Sequence, residues 1–371
     1  MDYKSLHKIG VITERDRTMT VSICMIALNE SAVLNGLFRD ISNQDYPHSK
    51  IEVVLVDAMS TDNTREMMED FKNSDYGFMD VKIVENPRRS QASGWNEALK
   101  VATGDIIIRV DAHASIPRQF VSRNVSHIKE GENITGGGRP NIVAGVSPWK
   151  LTLLAAEESL FGSSIASYRR QPVKKEYIDS MFHAAYRREV FANVGGFNED
   201  LGRTEDNEMH YRIRKAGYKL CCCPDIISYQ MTRNNLRDMI RQKYGNGKWI
   251  GLTLGVCKEC LSYFHFVPFL FVLALLGSAI FALFGINIFL LLLLGLYGMF
   301  DLVNTATCFI VRKVQPQFIL LPLLFPLLHI VYGIGTIVGL FKLPFWKKSL
   351  GTKAQQQIDL VKKAVINNTK K

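Results

Sequence analysis

Asp105-Ile106-Ile107-Ile108-Arg109-Val110-Asp111-Ala112-His113 is the stretch on which the fold turns. A run of apolar, β-branched residues ends in a carboxylate and an imidazole two positions apart. In an extended backbone, residues i and i+2 point to the same side, so Asp111 and His113 can serve one ligand. Oxygen and nitrogen donors at this spacing suit a divalent cation such as Mg²⁺ or Mn²⁺, held partly through a substrate's phosphates. Taken alone, the triplet reads first as a polar strand end facing water.

The pattern repeats on either side. Residues 20–26 form a β-branched apolar run that ends at Asn29-Glu30, followed by a helical pattern over 32–41. Residues 51–56 form a second run, ending at Asp57, with Ser60-Thr61-Asp62-Asn63 and a helical pattern over 64–71 behind it. A third run covers 81–84 and a helical pattern covers 90–102. Strands alternating with helices of about a dozen residues predict βαβ units and a mostly parallel sheet. Ligands of such sheets bind beyond the carboxyl ends of the strands, where Asn29, Asp57 and Asp111 all fall. No glycine-rich phosphate loop is visible, so a hydride-transfer cofactor lacks support. Gly136-Gly137-Gly138 is expected to be a flexible turn.

Composition divides the 371 residues sharply. Residues 1–260 read as α/β protein, whereas 261–341 are almost wholly apolar. The stretches 261–284, 286–311 and 317–341 are each long enough to cross a bilayer, since a helical crossing takes about 20 residues. The N-terminus has no apolar stretch of signal-peptide type, so the first 260 residues are expected to stay cytoplasmic. Seven cysteines fit a reducing compartment. Cys221-Cys222-Cys223 reads as core, and Cys257/Cys260 form half a metal site with no second pair. The net charge of +10 is uneven: residues 342–371 hold eight lysines against one acid, Asp359. Beside apolar spans such a tail favours anionic lipid over nucleic acid and belongs on the cytoplasmic side. Three full crossings would strand it outside. An even number of crossings is therefore expected, with the third segment, rich in Pro and Gly, re-entrant or split into two short helices. The resulting division is an extension (1–18), a catalytic domain (19–233), an amphipathic interfacial segment (234–260), a membrane region of two to four helical segments (261–341) and a basic tail (342–371).

Downstream, Gly195-Gly196-Phe197 leads to Thr204-Glu205-Asp206 at a helix start. Acids there complement the helix dipole, and they can also act as a general base. The order Asn29-Glu30, Asp57 with Asp62, Asp111-Ala112-His113, Gly195-Gly196-Phe197 and Thr204-Glu205-Asp206 resembles the family 2 glycosyltransferases, inverting sugar transferases of the GT-A fold. Within them it is most similar to the succinoglycan-type exopolysaccharide transferases, which share the Arg-Val-Asp-Ala-His form and apolar C-terminal segments. The resemblance covers about residues 19–235.

It implies an α/β catalytic domain with a mixed, mostly parallel sheet, followed by an α-helical membrane domain. Asp57 would contact the nucleobase or ribose, with Ala27, Asn29, Glu30, Asp62 and Arg88 around the same nucleotide. Asp111 and His113 would hold Mn²⁺ or Mg²⁺. Asp206 would deprotonate the acceptor hydroxyl while Glu205 positions it. The donor would be a nucleotide-diphosphate sugar (a UDP-sugar favoured) and the acceptor lipid-linked, at a membrane. Nucleic acid is not expected as a partner, and an oligomer is left open. Processive relatives carry Gln-x-x-Arg-Trp where this chain has Gly245-Asn246-Gly247-Lys248-Trp249, so Lys248 and Trp249 are candidates for the diphosphate or, alternatively, a membrane anchor. Arg169 and Arg170 are candidates for an acceptor phosphate. The rival readings are a polyprenyl-phosphate sugar transferase and a catalytically silent membrane scaffold.

Overall fold

The computed structural model describes residues 18–143, 145–162, 171–232, 235–312 and 314–368. Arg169 and Arg170 lie outside them. The chain runs β1 (Val21–Ala27), α1 (Ser31–Ser42), β2 (Ile51–Asp57), α2 (Thr64–Asn73), β3 (Asp80–Glu85), α3 (Gln91–Val101), β4 (Ile106–Asp111), β5 (Ala114–Ser115) and α4 (Phe120–Lys129). It continues β6 (Ile134–Gly138), β7 (Asn141–Ile142), α5 (Pro148–Glu157), β8 (Glu176–Ile178), β9 (Ala185–Arg187), α6 (Arg188–Val194), α7 (Glu205–Lys215), β10 (Leu220–Ile227) and β11 (Tyr229–Met231). The C-terminal part is helical: α8 (Leu236–Thr253), α9 (Val267–Leu283), α10 (Ile288–Val311), α11 (Leu321–Ser349) and α12 (Lys353–Asn368).

Eight strands form one sheet in the order β3-β2-β1-β4-β9-β6-β10-β8, and β5-β11-β7 form a small second sheet. The first four strands of the large sheet are parallel, while β9 runs antiparallel between β4 and β6. Helices on both faces explain why β1, β2 and β4 read as unbroken apolar runs: both sides of each strand are buried. The glycine triplet departs from expectation. Gly136-Gly137-Gly138 is the end of β6, inside the sheet and buried. A β-carbon on Gly137 would collide with the Ile226 carbonyl of β10, so here glycine permits close backbone approach and makes no turn.

The membrane region also departs from expectation. Length and composition would let 263–283, 288–311 and 316–349 all cross a bilayer. The third is neither split nor bent back, for α11 is one helix running through Pro326 and Pro344. Its glycines serve packing. β-Carbons on Gly335 and Gly339 would collide with the carbonyls of Tyr244 and Lys248, and one on Gly247 with that of Tyr332, so α8 and α11 lie backbone to backbone. The contacts Tyr244–Gly335, Lys248–Gly339 and Gly255–Leu343 rise together in number, so the two helices run parallel. α8 carries Arg237, Asp238, Arg241, Lys243 and Lys248, charges that are costly to place in hydrocarbon, and 331–346 of α11 packs alongside them. That leaves α9 and α10 as a hairpin. Pro268 and Val272 of α9 meet Gly333 of α11, Arg312 after α10 pairs with Glu158 at 3.0 Å, and the intervening Leu283-Phe284 is exposed.

Of the expected basic tail (342–371), the first residues extend α11 and Lys353–Asn368 form α12, docked on the α/β domain. Ala354, Ile358, Val361 and Val365 are buried, and Val361 and Val365 join the core beneath α3 and α6. Lys362 donates to the Asn193 carbonyl at 2.6 Å, and Asn368 donates to the Lys100 and Ala102 carbonyls. A helix bound this way lies on the same side of a membrane as the domain it docks on.

All seven cysteines are buried, so introduced thiols can be read with an impermeant reagent. Glu66→Cys and Gly351→Cys are expected to label from one and the same side, and Ile286→Cys from the other. Labelling of Gly351→Cys from the side of Ile286→Cys would reject the two-crossing arrangement.

Candidate functional site

Strand alternation assembles the site at the carboxyl edge of the sheet. Ala27 and Asp57 are paired residues at the ends of β1 and β2. Asp57 is buried and accepts from the Ser60 backbone N–H at 3.0 Å. Asn29 sits at φ 57°, the left-handed region that Asn tolerates, and its side chain accepts from the Thr61 N–H at 2.7 Å. Asp62 reaches back to α1, taking the Ser31 N–H and hydroxyl at 3.2 and 2.6 Å. Desolvation pushes its pKa up, but these bonds and those from Thr64 outweigh it and hold Asp62 at about 2. Asp57, Asn29 and Asp62 thus lock the two loops after β1 and β2 into one rim. Asp62 acts within the rim as a helix cap.

Arg109 and Asp111 share a face of β4, being two apart. Asp111 finds an imidazole, but of a different residue than expected: His183 Nε2 lies 3.4 Å from Asp111 Oδ2. His113 turns instead toward Glu30, with Nδ1 3.3 Å from Oε1. His183 is buried, holds φ 48° and contacts the Ser228 hydroxyl through Nδ1 at 3.0 Å. A non-glycine residue in this conformation stores strain of the kind found at functional sites. Its Nε2 is buried without a hydrogen-bond partner. Burial lowers the His183 pKa despite the Asp111 charge, which favours the neutral ring; burial would raise the Asp111 pKa, but His183 and then the charges of His113 and Arg109 hold it well below the carboxylate range. An ionised carboxylate beside an unpartnered imidazole nitrogen, with the second ring nitrogen fixed, fits a divalent metal. Among the described residues no three His, Cys, Asp or Glu side chains form a complete cage. The donor set therefore suits an ion completed by water and substrate oxygens.

Two acids begin α7. Asp206 is tied to Arg109, whose Nη1 lies 2.6 Å from Oδ1, with both side chains buried. The guanidinium sits between the rings of Trp95 (4.2 Å) and Phe197 (4.7 Å). Glu205 has no such countercharge. It is 1% exposed, its Oε2 has no hydrogen-bond partner, and burial followed by the neighbouring Asp206 charge pushes its pKa up to about 8. The Gly195-Gly196-Phe197 motif supports this arrangement from behind. Asn96 accepts from the Phe197 N–H and donates to its carbonyl, and β-carbons on Gly195 and Gly196 would strike Ile358 and Val361 of α12.

The structure does not bring every expected residue to this edge. Arg88 is ion-paired with Glu97 and Glu199. Trp249 packs over Gly202 and edge-on to Trp346, and the Lys248 backbone abuts Gly335 and Gly339. His183 and Arg109 escaped sequence reasoning. His183 belongs to no spacing pattern, whereas Arg109 was legible as the same-face neighbour of Asp111.

Residues 22–195 match the family profile described as Glycosyl transferase family 2. The chain carries a family 2 glycosyltransferase domain. It is 26% identical over 328 residues to the dolichyl N-acetyl-alpha-D-glucosaminyl phosphate 3-beta-D-2,3-diacetamido-2,3-dideoxy-beta-D-glucuronosyltransferase of Methanococcus voltae, spanning 87% of this chain and 97% of that protein. It is 29% identical over 239 residues to the succinoglycan biosynthesis protein ExoA of Rhizobium meliloti (strain 1021), spanning 62% and 69%. Among solved structures it is similar to the mannosyltransferase PcManGT from Pyrobaculum calidifontis, in complex with GDP-Man and Mn²⁺ (TM-score 0.57, 20% identity, 87% and 88% covered). The glycosyltransferase domain accordingly has the GT-A fold, a mixed, mostly parallel sheet, with C-terminal helices behind it.

Two predictions follow from the acid pair. Arg109→Met leaves Asp206 buried without a countercharge and is expected to cost about 3–5 kcal/mol, read by denaturant unfolding in detergent; a loss under about 1 kcal/mol would show the pair to be dispensable. In the fold Glu205 keeps its proton up to about pH 8, against an ordinary 4.5. The folded state therefore binds more protons than the unfolded one between these values, and stability falls as pH rises through them. Glu205→Gln is expected to flatten that fall, measured as melting temperature from pH 5 to 8.

Proposed function

We propose that the chain is a membrane-anchored inverting glycosyltransferase that moves a sugar from a nucleotide-diphosphate donor to a lipid-linked saccharide or glycolipid on the cytoplasmic membrane face. One observation carries the reading: the carboxylates of Asp57, Asp111 and Asp206 lie at one sheet edge, with the buried imidazole of His183 beside Asp111. A UDP-sugar is the favoured donor, and cell-surface polysaccharide synthesis the favoured setting.

In this reading Asp57 and the rim of Ala27, Asn29 and Glu30 receive the nucleoside. Asp111 and His183 hold Mn²⁺ or Mg²⁺ beside the diphosphate, with His113 close by. Such an ion neutralises charge on a diphosphate leaving group. The protein's own residues do the rest. Arg109 fixes one oxygen of Asp206, which orients the carboxylate and leaves the other oxygen to take the acceptor's hydroxyl proton. Glu205, protonated at neutral pH, donates a hydrogen bond that aligns the same acceptor. Environments that drive two neighbouring acids apart are the usual means of dividing such roles. Holding acceptor and donor in line makes attack from the opposite face effectively intramolecular.

Asp206→Asn is expected to lower transfer by about 10²–10⁴-fold while nucleotide binding persists, measured with a donor panel, Mn²⁺ and membrane lipid extract, with products read by mass spectrometry. Near-normal transfer by that variant would favour a phosphate acceptor, which needs little help from a base, and hence a polyprenyl-phosphate sugar transferase. Wild-type protein that binds no nucleoside diphosphate and uses no donor would favour the silent scaffold. His183→Ala is expected to weaken Mn²⁺-dependent nucleotide binding, followed by calorimetry with the nucleoside diphosphate alone.

A further inference from the structure

A groove of about 390 Å³ opens between α8 and α11. Arg237, Ile240, Arg241 and Tyr244 form one wall, and Val331 and Ile334 the other. The walls differ in chemistry. Arg237 and Arg241 are four residues apart and so share a face of α8, while the α11 wall is aliphatic. Arg241 has only Asp238 as a counterion, at 3.4 Å and largely in solvent. Arg237 has no carboxylate within ion-pairing distance among the described residues. The groove thus joins a net positive, forked donor set to a strip of hydrocarbon. Guanidinium pairs match phosphate oxygens in geometry as well as charge.

Its location ties it to the catalytic acids. Past Tyr244 the same helix meets the loop that leads into Glu205. A β-carbon on Gly245 would lie 2.9 Å from Arg203 Nε, Asn246 Oδ1 accepts from Arg203 Nη1 at 3.2 Å, and the Thr253 and Thr204 hydroxyls are hydrogen-bonded. With about 1.5 Å of rise per residue, Arg241 lies about 6 Å and Arg237 about 12 Å back along the axis from Gly245. The arginines thus lie within about 12 Å, along the helix axis, of the point where α8 meets the loop that carries the acids. The parallel packing on α11 holds the groove at membrane-surface depth, where a lipid chain can enter along Val331 and Ile334.

We propose that this groove seats the phosphate of a lipid-linked acceptor, with Arg237 and Arg241 gripping its oxygens and the first part of the lipid chain lying on Val331 and Ile334. The proposal rests on the reading of the chain as a transferase to such an acceptor, and names where the acceptor is held. Arg237 and Arg241 are positioning residues that do not touch the reacting atoms.

The test uses full-length protein in phosphatidylcholine nanodiscs, with farnesyl diphosphate and farnesol as probes read by native mass spectrometry. The Arg237→Gln/Arg241→Gln variant is expected to bind farnesyl diphosphate at least tenfold more weakly and farnesol unchanged. Undiminished diphosphate binding, or an equal loss for farnesol, would overturn the proposal. So would a variant whose only defect is loss of the preference for phosphatidylglycerol over phosphatidylcholine vesicles, since the arginines would then serve bulk anionic lipid. In transfer assays the variant is expected to raise KM for the lipid acceptor with kcat and donor hydrolysis unchanged. If diphosphate binding falls as stated but the wild type transfers from no donor, the groove stands and the functional reading fails.

Discussion

The ion pair between Arg109 and Asp206 joins the two halves on which everything else is built. Arg109 rises from β4 in the parallel part of the sheet, and Asp206 opens α7, which follows the irregular 195–204 segment. Desolvating two charges is costly, and their attraction offsets it only when geometry and surroundings are good. Here the surroundings are supplied by Trp95 from α3 and Phe197 from the glycine loop, whose rings sandwich the guanidinium. Each partner thus depends on the other's scaffold. Because Arg109 and Asp111 share one strand face, fixing Asp206 over Arg109 also fixes both acids of α7 relative to Asp111 and His183.

The same constraint explains why the C-terminal helix returns to the catalytic domain. Phe197 is held by the Asn96 side chain, and the glycines before it leave room only for Ile358 and Val361 of α12. Removing those side chains would leave the back of the loop exposed. The loop that carries the acids is therefore braced from one side by α3 and α12 and from the other by α8, through Trp249 on Gly202 and the Thr204–Thr253 hydroxyl contact. The C-terminal helices and the carboxylates of α7 are mechanically one unit.

Much of this was legible before the structure was known. Buried parallel strands announce themselves as apolar runs, and their ends placed Asn29, Asp57 and Asp111 together correctly, since register follows once β1, β2 and β4 lie side by side. What stayed hidden was non-local. Gly136–Gly138 looked like a turn because a strand chosen for close backbone approach lacks the side chains that mark strands. Pro316, Pro322, Pro326 and the glycines of the third segment read as breaks because the compensating partner of those glycines, α8, is about ninety residues away in sequence. α12 read as part of a basic, lipid-facing tail because its lysines hide Ala354, Ile358, Val361 and Val365, which are spaced four, three and four residues apart and form one helical stripe. His183 carried no signal at all: its value lies in a backbone conformation and a Ser228 contact that spacing cannot express.

The disposition of α11 bears on what kind of transferase this arrangement supports. A chain that extrudes its product must surround a polymer with membrane-crossing helices, all lining one path. Here Gly335 and Gly339 commit the C-terminal half of α11 to α8, whose five charged side chains are costly to bury in hydrocarbon. In a two-crossing arrangement α9 and α10 alone would cross, and two helices enclose nothing. Their outward faces are apolar along their length, so a path for a polar polymer is missing from the single chain. Transfer of one sugar to an acceptor that is itself a lipid needs no such path. An acceptor of the proposed kind would stay in its leaflet, with α8 bringing the loop of Glu205 and Asp206 to it, and elongation beyond one sugar would require either release and rebinding or further copies of the chain to complete a channel.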